Sequence, residues 1–242
     1  MVANRLTGEE IEDLKAQASS HFWPHARPAG TMWEDTGIKL VTRGKGVWVE
    51  DAEGERWLDM LSGMWLKNIG HGRKEIADAV YEQMQDISYS PGGTVSPATI
   101  KLSAKVASLA PEKDSRVYFV SGGSEAVETA LKMAKSYHKN NGQPGRWQVI
   151  SRAGSYHGAT FASMALGGGR DDFGPLMPGN IHVAQPNPYR CAYCADRGGC
   201  NLECARDVDR AIELEGPSSV AAFIGEPISA SAGVHIPHPE YW

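Results

Sequence analysis

A glycine-containing turn is the part of this chain best suited to bind an anion. It lies within Phe119–Glu128, which reads FVSGGSEAVE. Gly122 and Gly123 permit close approach of the backbone, and Ser124 adds a hydroxyl donor. Because a helix start exposes unpaired backbone N–H groups at the positive end of the helix dipole, this turn predicts a site for a group such as phosphate. The alternative is a strand–glycine–helix turn that binds nothing.

A second segment that can do chemistry, Ser155–Gly158, reads SYHG. Tyr156 offers a flat ring that can cover a planar ligand, and His157 adjoins it in the sequence. Alone, the tripeptide Tyr-His-Gly is weak evidence, because most such tyrosines are ordinary surface or core residues. Together with the glycine turn, and in this order, it favours a binding site.

Alternating strands and helices are predicted to position these two segments. Val117–Val120 reads as a strand, and the residues from Ser124 to His138 carry apolar side chains at helical spacing. Helix–strand units continue to Gly225 and imply a parallel sheet with flanking helices. Glu226 ends one of these strands, where α/β folds place their ligands. We therefore predict an α/β fold with a mostly parallel sheet.

The beginning of the chain is predicted to form a smaller lobe of helix and β-sheet. Thr7 and Glu10 have the spacing of a helix capping box. Short β runs follow between residues 37 and 60. We place this N-terminal lobe at residues 1–70 and the N-terminal portion of a large domain at residues 71–242.

The glycine turn and the SYHG segment, in this order, resemble the class III aminotransferases, pyridoxal phosphate enzymes of fold type I. Two further stretches, Leu61–Trp65 (LSGMW) and Gly70–Glu75 (GHGRKE), resemble the ω-amino acid:pyruvate transaminase branch of that family. A third, Ala222–Pro227 (AFIGEP), resembles the family's strand that ends in Glu-Pro. The resemblance covers nearly the whole chain. It implies transfer of an amino group from a primary amine or ω-amino acid to a keto acid such as pyruvate.

The resemblance also implies a role for each matching residue. The turn would hold the cofactor phosphate, the tyrosine would stack on the pyridine ring, and the glutamate would support the polar edge of the ring. Trp65 would line the substrate pocket. The implied cofactor-binding residues are Gly122, Gly123, Ser124, Tyr156, His157 and Glu226.

Two residues that the family's chemistry requires have no match here. Family members continue beyond the position of Trp242 with an Asp that pairs with the pyridine nitrogen and, later, the Lys that binds the cofactor covalently. We assign no catalytic residue in this chain, and we expect the fold to be incomplete without a C-terminal half. We expect that half as a separate chain, in a dimer of heterodimers. The alternative is a truncation of a longer chain.

All four cysteines lie in one predicted loop at residues 186–205. They are Cys191, Cys194, Cys200 and Cys204, spaced C-x2-C-x5-C-x3-C. Four thiolates at such spacing can hold a [4Fe–4S] cluster or a tetrahedral zinc ion. The uneven spacing favours the cluster, with zinc second. The alternatives are disulfides, which a reducing compartment disfavours, and a metal-free insertion like that of some relatives.

The composition favours small-molecule partners, an amine and a keto acid. A net charge of −5 gives no support for a nucleic-acid partner. No apolar run in the sequence is long enough to span a bilayer, so we expect no membrane partner and a cytoplasmic location. A second functional hypothesis is a non-catalytic, metal-binding interaction subunit with a degenerate aminotransferase fold. A mutase or decarboxylase on the same fold is the third.

Overall fold

A computed structural model of the chain describes residues 6–25, 37–168, 173–194 and 199–242. The chain divides into two compact units, Met1–Leu102 and Ser103–Trp242. The lobe boundary predicted between residues 70 and 71 stays a prediction. Within the described ranges, no helix combines the length and apolar character that crossing a bilayer requires.

The first unit contains helices and a small antiparallel sheet. Its first helix begins with the predicted capping box, in which the Glu10 backbone N–H donates to Thr7 Oγ1 at 3.2 Å and the Thr7 N–H donates to Glu10 Oε2 at 2.7 Å. Its three strands pair antiparallel in the order β1-β2-β3. The elements are α1 (Gly8–His21), β1 (Val41–Lys45), β2 (Trp48–Asp51), β3 (Arg56–Leu58), α2 (Ser62–Trp65) and α3 (Lys74–Asp86), followed by α4 (Pro97–Ala107), which spans the division between the units.

The second unit is built on a parallel sheet. Its three strands lie in the order β5-β4-β6, with β4 parallel to both neighbours and Ile150 opposite Ile181 and Phe223. Crossover helices connect the strands, as parallel pairing requires. This confirms the predicted α/β fold class. The elements are α5 (Gly123–Asn140), β4 (Gln148–Arg152), α6 (Phe161–Ala165), β5 (Asn180–Val183), α7 (Glu203–Glu215) and β6 (Val220–Ile224).

The core of the second unit surrounds β4 on both faces. One cluster of apolar side chains includes Ala211 of α7, and the other includes Leu131 of α5. A strand covered on both faces carries a continuous apolar run rather than an alternating one, and the run Val149-Ile150 fits that rule. The two clusters are Ile150, Val183, Ala211 and Val220 on one face and Leu131, Val149 and Leu166 on the other.

The strand predicted at Val117–Val120 is absent from the described structure. Its Tyr118 and Phe119 side chains are exposed. A strand is stable only when a neighbour accepts and donates its backbone hydrogen bonds. No described strand pairs with this segment, so its preference for the strand conformation does not produce a strand.

Helices α3 and α4 present apolar side chains that remain exposed. In α3, Ile76, Val80 and Met84 recur at four-residue spacing and form one stripe, yet no residue of either helix is buried. An amphipathic helix gains its stability by burying such a stripe. The described residues therefore form an incomplete fold, as the sequence predicted.

Candidate functional site

Three chain segments meet at the carboxyl edge of the parallel sheet. Ser155–Gly158 follows β4, Glu226 follows β6, and the start of α5 lies beside them. The Ala159 backbone N–H donates to Ser124 Oγ at 2.9 Å, which joins the segment after β4 to the helix start. The Tyr156 N–H is 3.4 Å from Glu226 Oε1. The fold thus brings together the residues predicted to bind a cofactor, at the edge where α/β folds bind ligands.

The start of α5 has the geometry of an anion site. Gly122 caps the helix in an extended conformation, and no side chain bonds to the helix end from this position. A Cβ added at Gly122 or Gly123 would meet no atom within 4 Å, so the space beside the turn is open. The first N–H groups of a helix have no intrahelical acceptor and favour a negative group. The turn therefore fits a phosphate.

Gly158 allows the SYHG segment to pack against the helix start. Its φ is +140°, a conformation that other residues rarely adopt. A Cβ at this position would lie 2.6 Å from Ser124 Oγ and 2.3 Å from Ser163 Oγ, closer than real atoms approach. Any other residue would push the segment away from α5. This glycine therefore sets the distance between Tyr156 and the glycine turn at the start of α5.

Tyr156 and His157 present an aromatic ring and a polar ring atom at this edge. Tyr156 is 51% exposed, so its ring is accessible to a ligand. Buried Nε2 of His157 has no hydrogen-bond partner among the described residues. Burial lowers the pKa of His157 and the Arg152 guanidinium lowers it further, while the Glu226 carboxylate opposes them. The neutral imidazole is therefore favoured, with one polar atom left for a ligand.

Neighbouring donors hold the Glu226 carboxylate in place. Ser229 Oγ donates to Oε1 at 3.2 Å, and the Ala230 N–H donates to Oε2 at 3.2 Å. The Ser229 side chain is itself fully buried. A carboxylate that accepts from donors on both oxygens keeps its orientation. Glu226 can therefore present its carboxylate in a fixed position near His157.

Trp65 lies in the first unit, at the end of α2, and its side chain is 67% exposed. Ser62, Met64 and Trp65 all have positive φ, between 48° and 68°. Non-glycine residues in this region are strained and are found at functional sites more often than elsewhere. The strained turn supports a role for LSGMW beyond packing. The structure does not relate Trp65 to the sheet edge of the second unit.

The cysteine cluster has the expected residues, but the predicted [4Fe–4S] or zinc centre is not supported. Cys191, Cys194, Cys200 and Cys204 are free thiols and line one cavity of about 450 Å³. Within the described ranges, which omit residues 195–198 of this loop, no three His, Cys, Asp or Glu side chains are arranged to hold a metal ion.

Burial and neighbouring donors act in opposite directions on the pKa values of the buried thiols. Burial raises the pKa of Cys204 to about 11, and the charge of Cys191 adds to that effect. Burial also opposes ionisation of Cys191, but hydrogen bonds from the Tyr193 backbone and the Cys194 thiol together lower its pKa. Cys191 and Cys204 pack with Tyr241 as small apolar side chains.

Sequence reasoning missed Arg152, which shapes this site. It placed Gly158 in the SYHG motif but did not predict its packing against Ser124, and no spacing rule reveals the bond from Ser229 to Glu226. Arg152 gave a readable signal, because it ends the strand QVISR just after the apolar pair Val149-Ile150, where a charged residue is unexpected.

Comparison with known proteins agrees with this geometry. The aminotransferase class III family matches residues 30–242. A probable aminotransferase of Mycobacterium tuberculosis is 41% identical over 98% of this chain and 51% of its own length. A β-alanine–pyruvate aminotransferase of Pseudomonas aeruginosa is 38% identical over 84% of this chain and 46% of its own length.

The solved structures show the same relation. The crystal structure of an (S)-enantioselective ω-transaminase from Thermomicrobium roseum superposes with a TM-score of 0.86 at 38% identity. The match covers 96% of this chain and 52% of that one. The chain spans about half the length of the curated relatives it matches. With the family match extending over most of its residues, this chain belongs to the class III aminotransferases.

Proposed function

We propose that this chain is the N-terminal half of a pyridoxal phosphate-dependent ω-aminotransferase. The reaction moves an amino group from a primary amine or ω-amino acid to a keto acid such as pyruvate. One observation carries the proposal: Ser124, Tyr156 and Glu226 come from three separate segments and meet at one edge of the parallel sheet. A β-alanine–pyruvate aminotransferase among the relatives supports the substrate class.

The residues at this edge fit the cofactor. The open turn at Gly122 and Gly123 would take the phosphate, with Ser124 as an added donor. The accessible Tyr156 ring would cover the pyridine face, and the unpartnered Nε2 of His157 would meet a polar substituent. When bound, the cofactor supplies an electron sink at the substrate carbon. The protein's share is to bind the phosphate, orient the ring and exclude water from one face.

Glu226 has a supporting role in this proposal. Its carboxylate is already fixed by Ser229 and Ala230, so it can orient polar groups without moving during the reaction. It also favours a proton on His157 while burial opposes one. The two groups together set the charge at this edge of the cofactor. Trp65 is proposed to line the substrate pocket.

The C-terminal half of the fold would supply the Lys and the pyridine-pairing Asp. In our proposal that half is a separate chain, and two such pairs form a dimer of heterodimers. The coverage of about half of each relative and the exposed apolar stripe of α3 support completion by a second half. A continuous polypeptide would supply the same residues. The mass of the active species under denaturing conditions distinguishes the two arrangements. The cytoplasmic location also stays a prediction.

The alternative of a non-catalytic, metal-binding subunit loses its main support. It relied on a metal centre at the cysteines, and the described residues hold no arrangement for one. It also gives no reason for a phosphate turn kept open beside an accessible tyrosine. The proposed cofactor is therefore pyridoxal phosphate alone.

The test is reconstitution of activity. The chain is co-expressed with the C-terminal half, purified with pyridoxal phosphate, and supplied with β-alanine or a primary amine together with pyruvate. We expect alanine to form. A complex in which the cofactor-binding lysine of the second half is replaced by alanine serves as the control. A wild-type complex that binds the cofactor but forms no alanine with any amine donor would contradict the proposal.

A further inference from the structure

Arg152 is a buried cation whose counter-charge is missing from the described residues. It is the last residue of β4 and is fully buried. Its Nη2 donates to the backbone carbonyl of Glu226. Its Nε and Nη1 are also buried, and neither has a hydrogen-bond partner among the described residues. Buried donors without acceptors are rare and costly, and a buried guanidinium is normally paired with an anion.

Two acids of the described structure that act on the same neighbours as Arg152 are already engaged elsewhere. The Glu226 carboxylate accepts from Ser229 and Ala230. Asp207 accepts the Ala184 backbone N–H at 3.0 Å and lies 3.6 Å from Arg210. No ion pair of the described ranges includes Arg152.

The guanidinium lies over two aromatic rings, while its Nε and Nη1 have no hydrogen-bond partner among the described residues. The Tyr241 ring centre lies 5.7 Å from the Arg152 Cζ, and the Trp242 ring centre lies 5.3 Å from it. Ring faces attract the positive charge but accept no in-plane N–H bonds. A carboxylate matches two adjacent guanidinium donors in a bidentate pair. Trp242 is 64% exposed, so this ring is the part of the cover that an incoming group can displace.

We propose that a carboxylate of the C-terminal half pairs with Nε and Nη1 of Arg152 when the two halves associate, and that the Trp242 ring moves aside to admit it. The inference rests on the proposed function, because it requires that second half. Arg152 would then be a positioning residue. It joins the second half to the Glu226 backbone through Nη2, and thereby to the carboxylate beside His157. Neutral backbone carbonyls or a free anion are the competing occupants.

Double-mutant cycles in the complex of both halves test the pair. Each Asp and Glu of the C-terminal half is changed to Asn or Gln, alone and together with Arg152→Met, and the dissociation constant of the halves is measured. We expect one carboxylate whose loss weakens association about tenfold or more, with little further loss in the double variant. The same carboxylate should be additive with Arg146→Met. Arg146 is a matched control, because it also donates to a backbone carbonyl, that of Val220, at 3.3 Å.

A second readout follows the Trp242 ring. Binding of the second half should change the tryptophan emission of the wild-type chain, and Trp242→Phe should remove that part of the change. The inference would be overturned if, for every carboxylate, the effects of its loss and of Arg152→Met on the dissociation constant were additive. It would also be overturned if Arg152→Met bound the second half as tightly as the wild-type chain. If Arg152→Met does not fold, Arg152→Lys keeps the charge without the planar fork. The cycle must then still single out one carboxylate.

The inference and the proposed function fail in different ways. A wild-type complex that forms alanine while every cycle is additive overturns only the pairing of Arg152. A wild-type complex that assembles but binds no pyridoxal phosphate overturns the proposed function, and the cycles still decide the pairing. Halves that do not associate overturn both.

Discussion

Two stretches of this chain are rich in strand-forming residues, and they have different fates. β4 has neighbours on both sides, its Ile150 and Arg152 are fully buried, and helices cover both of its faces. Val117–Val120 forms no strand, and its Phe119 side chain is 45% exposed. The local preferences of the two segments are similar, since both contain valine and a further large apolar residue.

The difference shows that neighbours, more than local preference, determine whether a strand forms. β4 gains two ladders of hydrogen bonds and two packed faces within this chain. For Val117–Val120, the described structure contains no ladder of backbone hydrogen bonds to a neighbouring strand. In our proposal its neighbour belongs to the C-terminal half. The backbone pairing and apolar packing of β4 are therefore complete within this chain, whereas the fold is open near the start of α5, which is also where the proposed phosphate site lies.

The largest expected effect concerns the chain without its second half. Exposed apolar side chains on α3 and near Phe119 favour association with any available partner. We expect the chain expressed alone to aggregate, and co-expression with the C-terminal half to make it soluble. Sedimentation of the two preparations provides the measurement. A soluble, monomeric chain with a cooperative melt would show that the open region needs no partner.

Substitutions in the two stretches should separate folding from association. Ile150→Ala removes a fully buried side chain and should lower the free energy of unfolding by about 2–5 kcal/mol. Phe119→Ala should instead weaken binding of the second half by roughly 100-fold, with Phe119→Leu as a milder control. Chemical denaturation and titration of the halves measure the two quantities. Equal effects of both alanine variants on both quantities would remove the distinction between the stretches.

Tyr156, which follows β4, should matter for the ligand and little for the fold. Because its side chain is 51% exposed, Tyr156→Ala should change the free energy of unfolding by less than about 0.5 kcal/mol. The loss of ring contact should lower cofactor affinity by about tenfold, and Tyr156→Phe should keep most of it. Thermal melting and a cofactor titration of the complex test both values. A loss of stability as large as the loss of affinity would identify a packing residue.

The smallest effect is a pH dependence from His157. Burial lowers its pKa in the folded protein, so the unfolded state binds a proton more readily. Above pH 6.5 or so, about the pKa of His157 in the unfolded state, this residue does not destabilise the fold. As pH falls below that value and through the lowered pKa of His157 in the folded state, the residue increasingly destabilises the fold. His157→Asn should reduce that loss. Urea denaturation at several pH values makes the comparison, and identical pH profiles for the two proteins would contradict it.

Much of the local structure follows from the sequence because local interactions decide it. The helix predicted from Ser124 to His138 is α5, and the predicted capping box at Thr7 forms. The failures are all non-local. The strand at Val117–Val120 depends on a neighbour that no described residue provides.

The candidate site shows the same limit. The order and spacing of motifs in the sequence indicated the glycine turn, Tyr156 and Glu226 as site residues, and the fold places them together. The sequence pattern did not indicate Arg152, which is notable because its buried Nε and Nη1 have no hydrogen-bond partner among the described residues. It also favoured a metal at the cysteines. The four cysteines are close in the sequence, and burial and neighbouring donors affect the pKa values of Cys191 and Cys204. The described residues are nevertheless not arranged to hold a metal ion.

Cofactor binding by the Ser124 variants tests the central claim most directly. Pyridoxal phosphate is titrated into the complex of both halves carrying Ser124→Asp or Ser124→Ala. The account predicts that the aspartate, placed against the phosphate at the start of α5, weakens binding by about 100-fold through like-charge repulsion. The alanine variant, which loses one donor, should weaken it by about tenfold. Wild-type affinity in the Ser124→Asp complex would contradict the assignment of this turn as the phosphate site.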